Sequence, residues 1–270
     1  RPVVSHSRSC HPGTWLGVFA LAVLPLLGGC SLFRSRPDTL PPAAKLYEDA
    51  ERDLLRGRQE AARDALRKLV ERHPDSTLVP KARFLLGESY YRDQEFDRAT
   101  REFEAFMSLY PGHAIADLAQ YRLARSYLDQ MPILERDQAL TAKALAEFRK
   151  LVKQYPESRY APDSIAKIEA CRLRLAQKEI WIADYYVRQG NLVAAIQRYD
   201  SVLKEYARTA VAPQALFQKA EALTRLGRTE EAATTLRRLV EEYPTSEWSR
   251  RARQGQTGFG PPPREEPRHA

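Results

Sequence analysis

The chain is poor in the residues that carry chemistry. Its 270 residues hold three cysteines, Cys10, Cys30 and Cys171, too few and too far apart for a disulfide framework or a thiolate metal cluster. The five histidines, His6, His11, His73, His113 and His269, are scattered, and none pairs with another at the helical spacing that metal ligation uses. No glycine-rich loop follows a strand, no nucleophile elbow occurs, and no strand series is visible. The glycine cluster GQTGFG, Gly255 to Gly260, lies in a proline-rich tail and reads as flexible linker. These absences argue against an enzyme, a metal site and a bound cofactor. Blocks of like charge are also lacking. The formal charge is +8, of which Arg1 and Arg8 contribute two, so a chain beginning at Cys30 carries +6. Lys, Arg, Asp and Glu are interspersed along the body, the pattern of solvated helix faces rather than of a nucleic-acid footprint.

What is present begins with an N-terminal leader. No charged residue occurs from Ser9 to Phe33, and Trp15 to Leu27 is an apolar run that ends in Leu27-Gly28-Gly29-Cys30. A basic start, a short apolar region and small residues at a cleavage point form secretory signal architecture. The chain opens on Arg1 rather than Met, which bears only on the segment expected to be removed. The alternative is an uncleaved helix long enough to span a bilayer, which Pro25, Gly28 and Gly29 interrupt. The Leu-x-Gly-Cys step resembles the bacterial lipobox. That resemblance implies a signal peptide over 1–29 and lipidation at Cys30. It also implies, from Ser31 rather than an aspartate after the cysteine, the outer membrane. Two or more acyl chains anchor stably where one binds only marginally. RSRPDTLPP, Arg34 to Pro42, completes a lipidated tether over 30–42 that holds the folded body off the bilayer.

The body is a repeat array. One closing phrase recurs, as VERHPDS, MSLYPGH, VKQYPES, LKEYART and VEEYPTS. It places His73-Pro74, Tyr110-Pro111, Tyr155-Pro156 and Tyr243-Pro244 at unit ends, with Tyr206-Ala207 the degenerate member. Proline there ends one helix and starts the next unit. Before each phrase lies the tetratricopeptide pattern of small and large residues on two helices. It is clearest as Leu86-Gly87, Tyr90, Ala99 and Phe103, and again as Ala183, Tyr186, Gly190, Ala195 and Tyr199. Small residues let paired helices approach, large ones fill the space beside them, and no hairpin buries its apolar face without a neighbour. The reading is an all-α, tetratricopeptide-like helical-hairpin solenoid of about five repeats, a right-handed superhelix with a concave inner face. Cys171, in the helical stretch IAKIEACRLRLAQ, reads as a small semi-buried residue.

Two units are too long. His73 to Tyr110 and Tyr206 to Tyr243 each span 37 residues, but Tyr110 to Tyr155 takes 45 and Tyr155 to Tyr206 takes 51. The first excess falls in a hairpin loop around MPILERDQAL, and the second lengthens a helix from Ala161 to Arg188 by about four turns.

A lipobox, five repeats, an ERDQ loop, LVKQYPESRYAPDS, QKEIWIADYYVRQGN and LVAAIQRYDSVLKEY together resemble the BamD family of lipoproteins of the β-barrel assembly machinery. The phrases run from Glu135 to Tyr206, with generic repeat similarity over Ala43 to Glu242. Departures are Asp53, where an aromatic is usual, and the tail from Gly255 to Ala270, which reads as disordered. The resemblance implies a non-catalytic scaffold on the periplasmic face of the outer membrane, with no cofactor beyond the lipid on Cys30. Its implied partners are the POTRA domains of BamA, further lipoproteins of the machinery, and the C-terminal β-signal of unfolded outer-membrane proteins. Residues 43–158, repeats 1–3, would meet substrate. Residues 159–254, repeats 4–5 with the long helix, would meet BamA, and 255–270 would be tail. The competing reading is another periplasmic repeat adaptor, of the Tol-associated cell-division type.

First helices line the concave face of such a solenoid, and here they carry Tyr90, Tyr91, Arg92, Tyr121 and Arg122, aromatics beside cations. Arginine pairs a terminal carboxylate bidentately, and tyrosine offers amphipathic contact surface. Tyr90 and Tyr121 equally suit repeat packing, and Arg92 and Arg122 equally suit plain solvation. For the BamA side the resemblance points to Asp184, Tyr185, Arg188, Gln197 and Arg198 around the fourth hairpin. Glu135, Arg136 and Asp137, in a loop longer than the repeat requires, form a second candidate surface.

Overall fold

An aromatic-proline step ends a helix for a local reason. A proline ring pushes the preceding residue out of the α region. His73, Tyr110, Tyr155 and Tyr243 accordingly sit at φ near −130° with ψ between 48° and 60°. Tyr206, followed by Ala207, relaxes to ψ 26°. At three of the five closing phrases the aromatic also binds backward by one repeat. The Tyr155 hydroxyl donates to the carbonyl of Pro111 at 2.9 Å, and Tyr243 donates to that of Ala207 at 2.6 Å. His73 Nε2 lies 2.9 Å from the carbonyl of Pro41. The closing phrase is thus both a helix stop and a staple between units.

The computed structural model describes residues 41–255, which fall in one compact unit. The signal segment, Cys30, most of the tether and the tail beyond Gly255 lie outside the described residues. Eleven helices follow one another among the described residues: α1 (Ala43–Leu55), α2 (Gln59–Arg72), α3 (Val79–Arg92), α4 (Phe96–Leu109), α5 (Ala116–Leu128), α6 (Ala139–Gln154), α7 (Ala161–Arg188), α8 (Leu192–Glu205), α9 (Ala212–Arg225), α10 (Thr229–Glu242) and α11 (Glu247–Arg253). Each helix packs mainly on its chain neighbours, giving five hairpins in series, and α11 closes the array against α9 and α10. The fold is the tetratricopeptide-like solenoid that the repeats specify. Pro80, Pro162 and Pro213 occupy the first turns of α3, α7 and α9, where a missing N–H costs nothing.

Four hairpins turn in three residues, at 56–58, 93–95, 189–191 and 226–228. The central residue is left-handed each time: Gly57 at φ +72°, Gln94 at +60°, Gly190 at +75° and Gly227 at +75°. The following N–H reaches back five residues, as Arg58 to Asp53 at 2.8 Å and Asn191 to Tyr186 at 2.9 Å. This closure satisfies carbonyls that a helix end otherwise leaves open. Asp53, the departure from the aromatic, holds Arg58 at 2.5 Å and ties the first turn from its side chain as well.

Helix pairs approach where the pattern places small residues. Ala62, Ala99, Ala144, Ala183 and Ala195 are fully buried, with Leu66, Phe103, Phe148 and Tyr199 filling the space beside them. Burying each large side chain contributes about 1.5–3 kcal/mol. Between the first two hairpins the core admits a charge. Arg63, 1% exposed, donates to Ser89 Oγ and Ser89 O at 2.9 Å, to Glu60 at 2.7 Å, to Glu95 at 3.1 Å and to Asp93. Its guanidinium also lies 4.5 Å over the Tyr90 ring. Fully partnered, it is tolerated where an unpaired charge would not be.

The fourth unit is long because α7 has 28 residues against 14 for α3. One apolar core runs from α1 to Cys171 on α7, and a second begins at Ala176 on the same helix. The helix is therefore shared between the two cores. Cys171 is fully buried, and burial pushes its thiol up to about 11. The other insertion, the loop of residues 129–138 between α5 and α6, docks on α7. Arg174 donates to the carbonyl of Pro132 at 2.7 Å, and Lys178 donates to that of Glu135 at 2.8 Å. The two departures from repeat length support each other.

Candidate binding surfaces

The first helices of hairpins two to four, α3, α5 and α7, carry a continuous polar ladder. Glu88 on α3 pairs with Arg122 on α5 at 2.6 Å, and the Arg122 guanidinium lies 5.5 Å over the Tyr91 ring. The Tyr91 hydroxyl donates to Asp129, which also accepts from Arg125 at 3.3 Å. Arg125 reaches the Tyr121 hydroxyl at 3.4 Å, which in turn donates to Asp163 on α7 at 2.7 Å. Tyr121 stacks on Tyr160 with centroids 4.9 Å apart. Burial, and then the carboxylate of Asp129, pushes the Tyr91 hydroxyl up to about 12. Burial raises Glu88 although Arg122 acts against it. Both groups are therefore partly withdrawn from water.

Of the five candidates on these helices, Tyr91, Tyr121 and Arg122 belong to this ladder. Tyr90 does not. It is 6% exposed, has the guanidinium groups of Arg63 and Arg98 at 4.5 Å and 5.5 Å from its ring centroid, and packs in the core. Of the two readings open for Tyr90, packing is the one its surroundings fit. Tyr121, 9% exposed, offers little more than its tied hydroxyl. Arg92 stands at the end of α3, exposed. Sequence reasoning missed Glu88, Arg125, Asp129 and Asp163. A signal existed, because Tyr121, Arg125 and Asp129 repeat at four-residue spacing along one helical face.

At the fourth hairpin the candidates divide. Asp184 is half-buried and accepts from Tyr199 at 3.1 Å on α8 and from Gln218 at 3.2 Å on α9. Burial raises its carboxyl above the usual range despite those bonds. Arg198 is engaged with Glu179 at 3.2 Å. Tyr185, 46% exposed and edge-on to Tyr186, Arg188 beside the turn and Gln197 on α8 present open side chains. Asp184 and Arg198 thus hold the hairpin, while the other three face outward.

In the inserted loop Glu135, Arg136 and Asp137 are all exposed, and only their backbone is committed. Buried Gln138 organises the loop, donating to the carbonyls of Ile133 at 2.9 Å and Arg136 at 3.2 Å while accepting from Thr141. Met131 and Ile133 are left 41% and 63% exposed. The result is a fixed backbone presenting free charged and apolar side chains. Lys178 and Arg174, which fix it, were not legible as loop partners.

Among the described residues no group of His, Cys, Asp and Glu is placed to hold a metal, and no helix is long and apolar enough to cross a membrane. The YfiO family, described as outer membrane lipoprotein, matches residues 41–238. The outer membrane protein assembly factor BamD of Caulobacter vibrioides is 32% identical over 234 residues, covering 86% of this chain and 77% of that one. That of Rickettsia prowazekii is 29% identical over 230 residues, covering 85% and 92%. Among solved structures, a tetratricopeptide repeat protein of Thermus thermophilus aligns over 80% of this chain and 99% of its own with a TM-score of 0.36 at 15% identity.

Proposed function

The chain belongs to the BamD family of outer membrane lipoproteins, and on that premise we propose that it is a lipid-anchored, periplasm-facing scaffold joining BamA to unfolded outer-membrane proteins. The family acts in outer membrane protein assembly and not as an enzyme. Cys30 carries the lipid, and the tether lets repeats 1–3 meet the β-signal of a client. Repeats 4–5 and the docked loop meet BamA, with further lipoproteins of the machinery as additional partners.

The observation that carries this reading is the long helix α7. It is shared by two cores, and it fixes the loop of Glu135, Arg136 and Asp137 through Arg174 and Lys178. A scaffold that holds two partners needs two surfaces on one stiff frame, and a helix of roughly 42 Å supplies it. Tyr185, Arg188 and Gln197 form the outward part of the BamA side, with Asp184 and Arg198 keeping the hairpin in shape. Tyr91, Arg92 and Arg122 form the client side.

The test is a pull-down from detergent-solubilised envelopes with the native lipoprotein, beside Cys30→Ala fractionated in parallel. Capture of BamA, with loss of Cys30→Ala from the outer-membrane fraction, supports the reading. Capture of a Tol or peptidoglycan-synthesis component instead replaces it with the cell-division adaptor. Charge reversal at Asp137 or Arg198 is expected to reduce BamA capture, and unchanged capture removes that residue from the interface.

A further inference from the structure

The last hairpin of a solenoid has no following unit to cover its outer face. Here α11 takes that place, but it has seven residues against 14 for α10. An open groove of about 470 Å³ remains between α10 and the last turn of α11. Ala233, Leu236 and Val240 recur along one stripe of α10 and, with Ala252 on α11, give the groove an apolar lining. Arg237, Glu241 and Arg253 add charge of both signs. Mixed charge selects no ion, so the apolar lining decides what the groove takes.

The chain itself leaves α11 at this groove. Arg253 lines it, and two residues on Gly255 closes the helix at φ +63°, its N–H donating to the Ala252 carbonyl at 3.2 Å. Residues 256–270 lie outside the described residues, and their sequence carries one large apolar side chain, Phe259. Phe259 is four residues past Gly255, a reach of up to about 13 Å, and the stripe from Ala233 to Val240 is about 10 Å long. Gly258 and Gly260 flank it, and residues without Cβ let backbone come close to a helix surface. A tail of this composition builds no core of its own. Its one ring is buried only by lying on a folded neighbour.

We propose that this chain's own Phe259 occupies the groove, its ring on Leu236 and Val240 beside the guanidinium groups of Arg237 and Arg253, completing the cap that α11 leaves short. A guanidinium over an aromatic face is attracted by the ring quadrupole. Arg237 is free to provide that contact, since it makes no hydrogen bond or ion pair among the described residues. Arg253 is fixed beside the groove by its bond to the carbonyl of Pro244 at 2.9 Å. The short tether raises the local concentration of the ring to about the millimolar range, so a contact too weak to form between separate molecules forms within one. The cap does not rest on the client and BamA assignments.

Hydrogen–deuterium exchange of the full chain in detergent tests the cap, with Phe259→Ser as the variant. The substitution lies beyond α11, so the helices fold without it, which circular dichroism checks. A ring held on a four-residue tether predicts exchange about three- to tenfold slower in α11 and in residues 233–241 of the unaltered protein than in Phe259→Ser, with α1 to α6 identical. Arg237→Ala should give part of the same acceleration, and none further in the Phe259→Ser background. Equal exchange in the unaltered protein and Phe259→Ser means an open groove, and the proposal falls. Additive effects of Phe259→Ser and Arg237→Ala place the ring elsewhere and overturn it. Protection that persists on tenfold dilution supports a cap within one chain. Protection that fades on dilution puts the ring in the groove of a second copy, which replaces the intramolecular cap with a dimer.

Discussion

Gly87→Ala sets two opposing effects against each other, and the structure decides between them. Gly87 lies inside α3, where alanine is favoured by about 0.8–1 kcal/mol on helix propensity alone. A methyl at that position would stand 2.6 Å from Phe103 Cε1, 2.8 Å from Cζ and 2.9 Å from Cδ1. The ring cannot simply swing away. Phe103 is fully buried and packs on Phe84 with centroids 5.7 Å apart, and Phe84 in turn packs on Phe106 at 6.3 Å. Overpacking of this kind costs about 1–3 kcal/mol. Subtracting the propensity gain leaves a net destabilisation centred near about 1 kcal/mol and reaching about 2 kcal/mol, a fall in Tm of roughly 2–4 °C at the centre and up to roughly 8 °C for a chain of this size. Thermal unfolding by circular dichroism reads it. Gly112→Ala is the control, because no atom lies within 4 Å of its Cβ, and it should change stability by under about 0.5 kcal/mol. Phe103→Leu should recover part of the loss in the Gly87→Ala background, giving a double-mutant cycle with clear coupling. If Gly87→Ala melts at or above the unaltered protein, α3 and α4 are not in the tight contact described, and the reason given for a small residue in the repeat is wrong.

Two further outcomes follow from local geometry. Gln94 is the sole non-glycine residue at a positive φ among the described residues, so Gln94→Gly should raise stability by about 1 kcal/mol in denaturant unfolding, and a loss would mean that its side chain makes a compensating contact. Asp184 has its carboxyl raised above 3.8 by burial, against the bonds from Tyr199 and Gln218. A raised acid binds its proton more tightly when folded, so its ionisation opposes folding. That cost is absent below the unfolded value and grows as pH rises through the folded one. Asp184→Asn keeps an acceptor for Tyr199 and Gln218 and should equal or exceed the unaltered protein at pH 7, with the difference vanishing near about pH 3. Lower stability of Asp184→Asn at pH 7 would show that the charge itself is needed.

The repeat frame was legible because it is written in residues that constrain the backbone. Proline after an aromatic, alanine at fixed offsets and a 51-residue interval each restrict geometry directly, and the helix from Ala161 to Arg188 follows from them. What stayed hidden has a common physical cause. The inserted loop is fixed by Arg174 and Lys178 through the carbonyls of Pro132 and Glu135, and a backbone acceptor leaves no trace in residue identity. Arg63 reads as a solvated helix residue until five acceptors arrive, four of them on side chains and backbone of the next hairpin. Tyr90 suits both a binding face and a core, and only the two guanidinium groups on its ring separate these.

The same reasoning says which parts of the binding surfaces are free to change. A side chain with an internal partner, such as Arg122, Asp184 or Arg198, resists substitution for reasons of folding, whether or not a ligand touches it. Arg92, Glu135, Arg136 and Asp137 have no such internal duty, so altering them perturbs recognition without perturbing the frame. Loss of binding on changing the first group is therefore ambiguous, since a loosened hairpin produces it too. Loss on changing the second group, with Tm unchanged, locates contact, and these exposed and unpartnered positions are where the roles proposed for the two halves of the solenoid can be told apart.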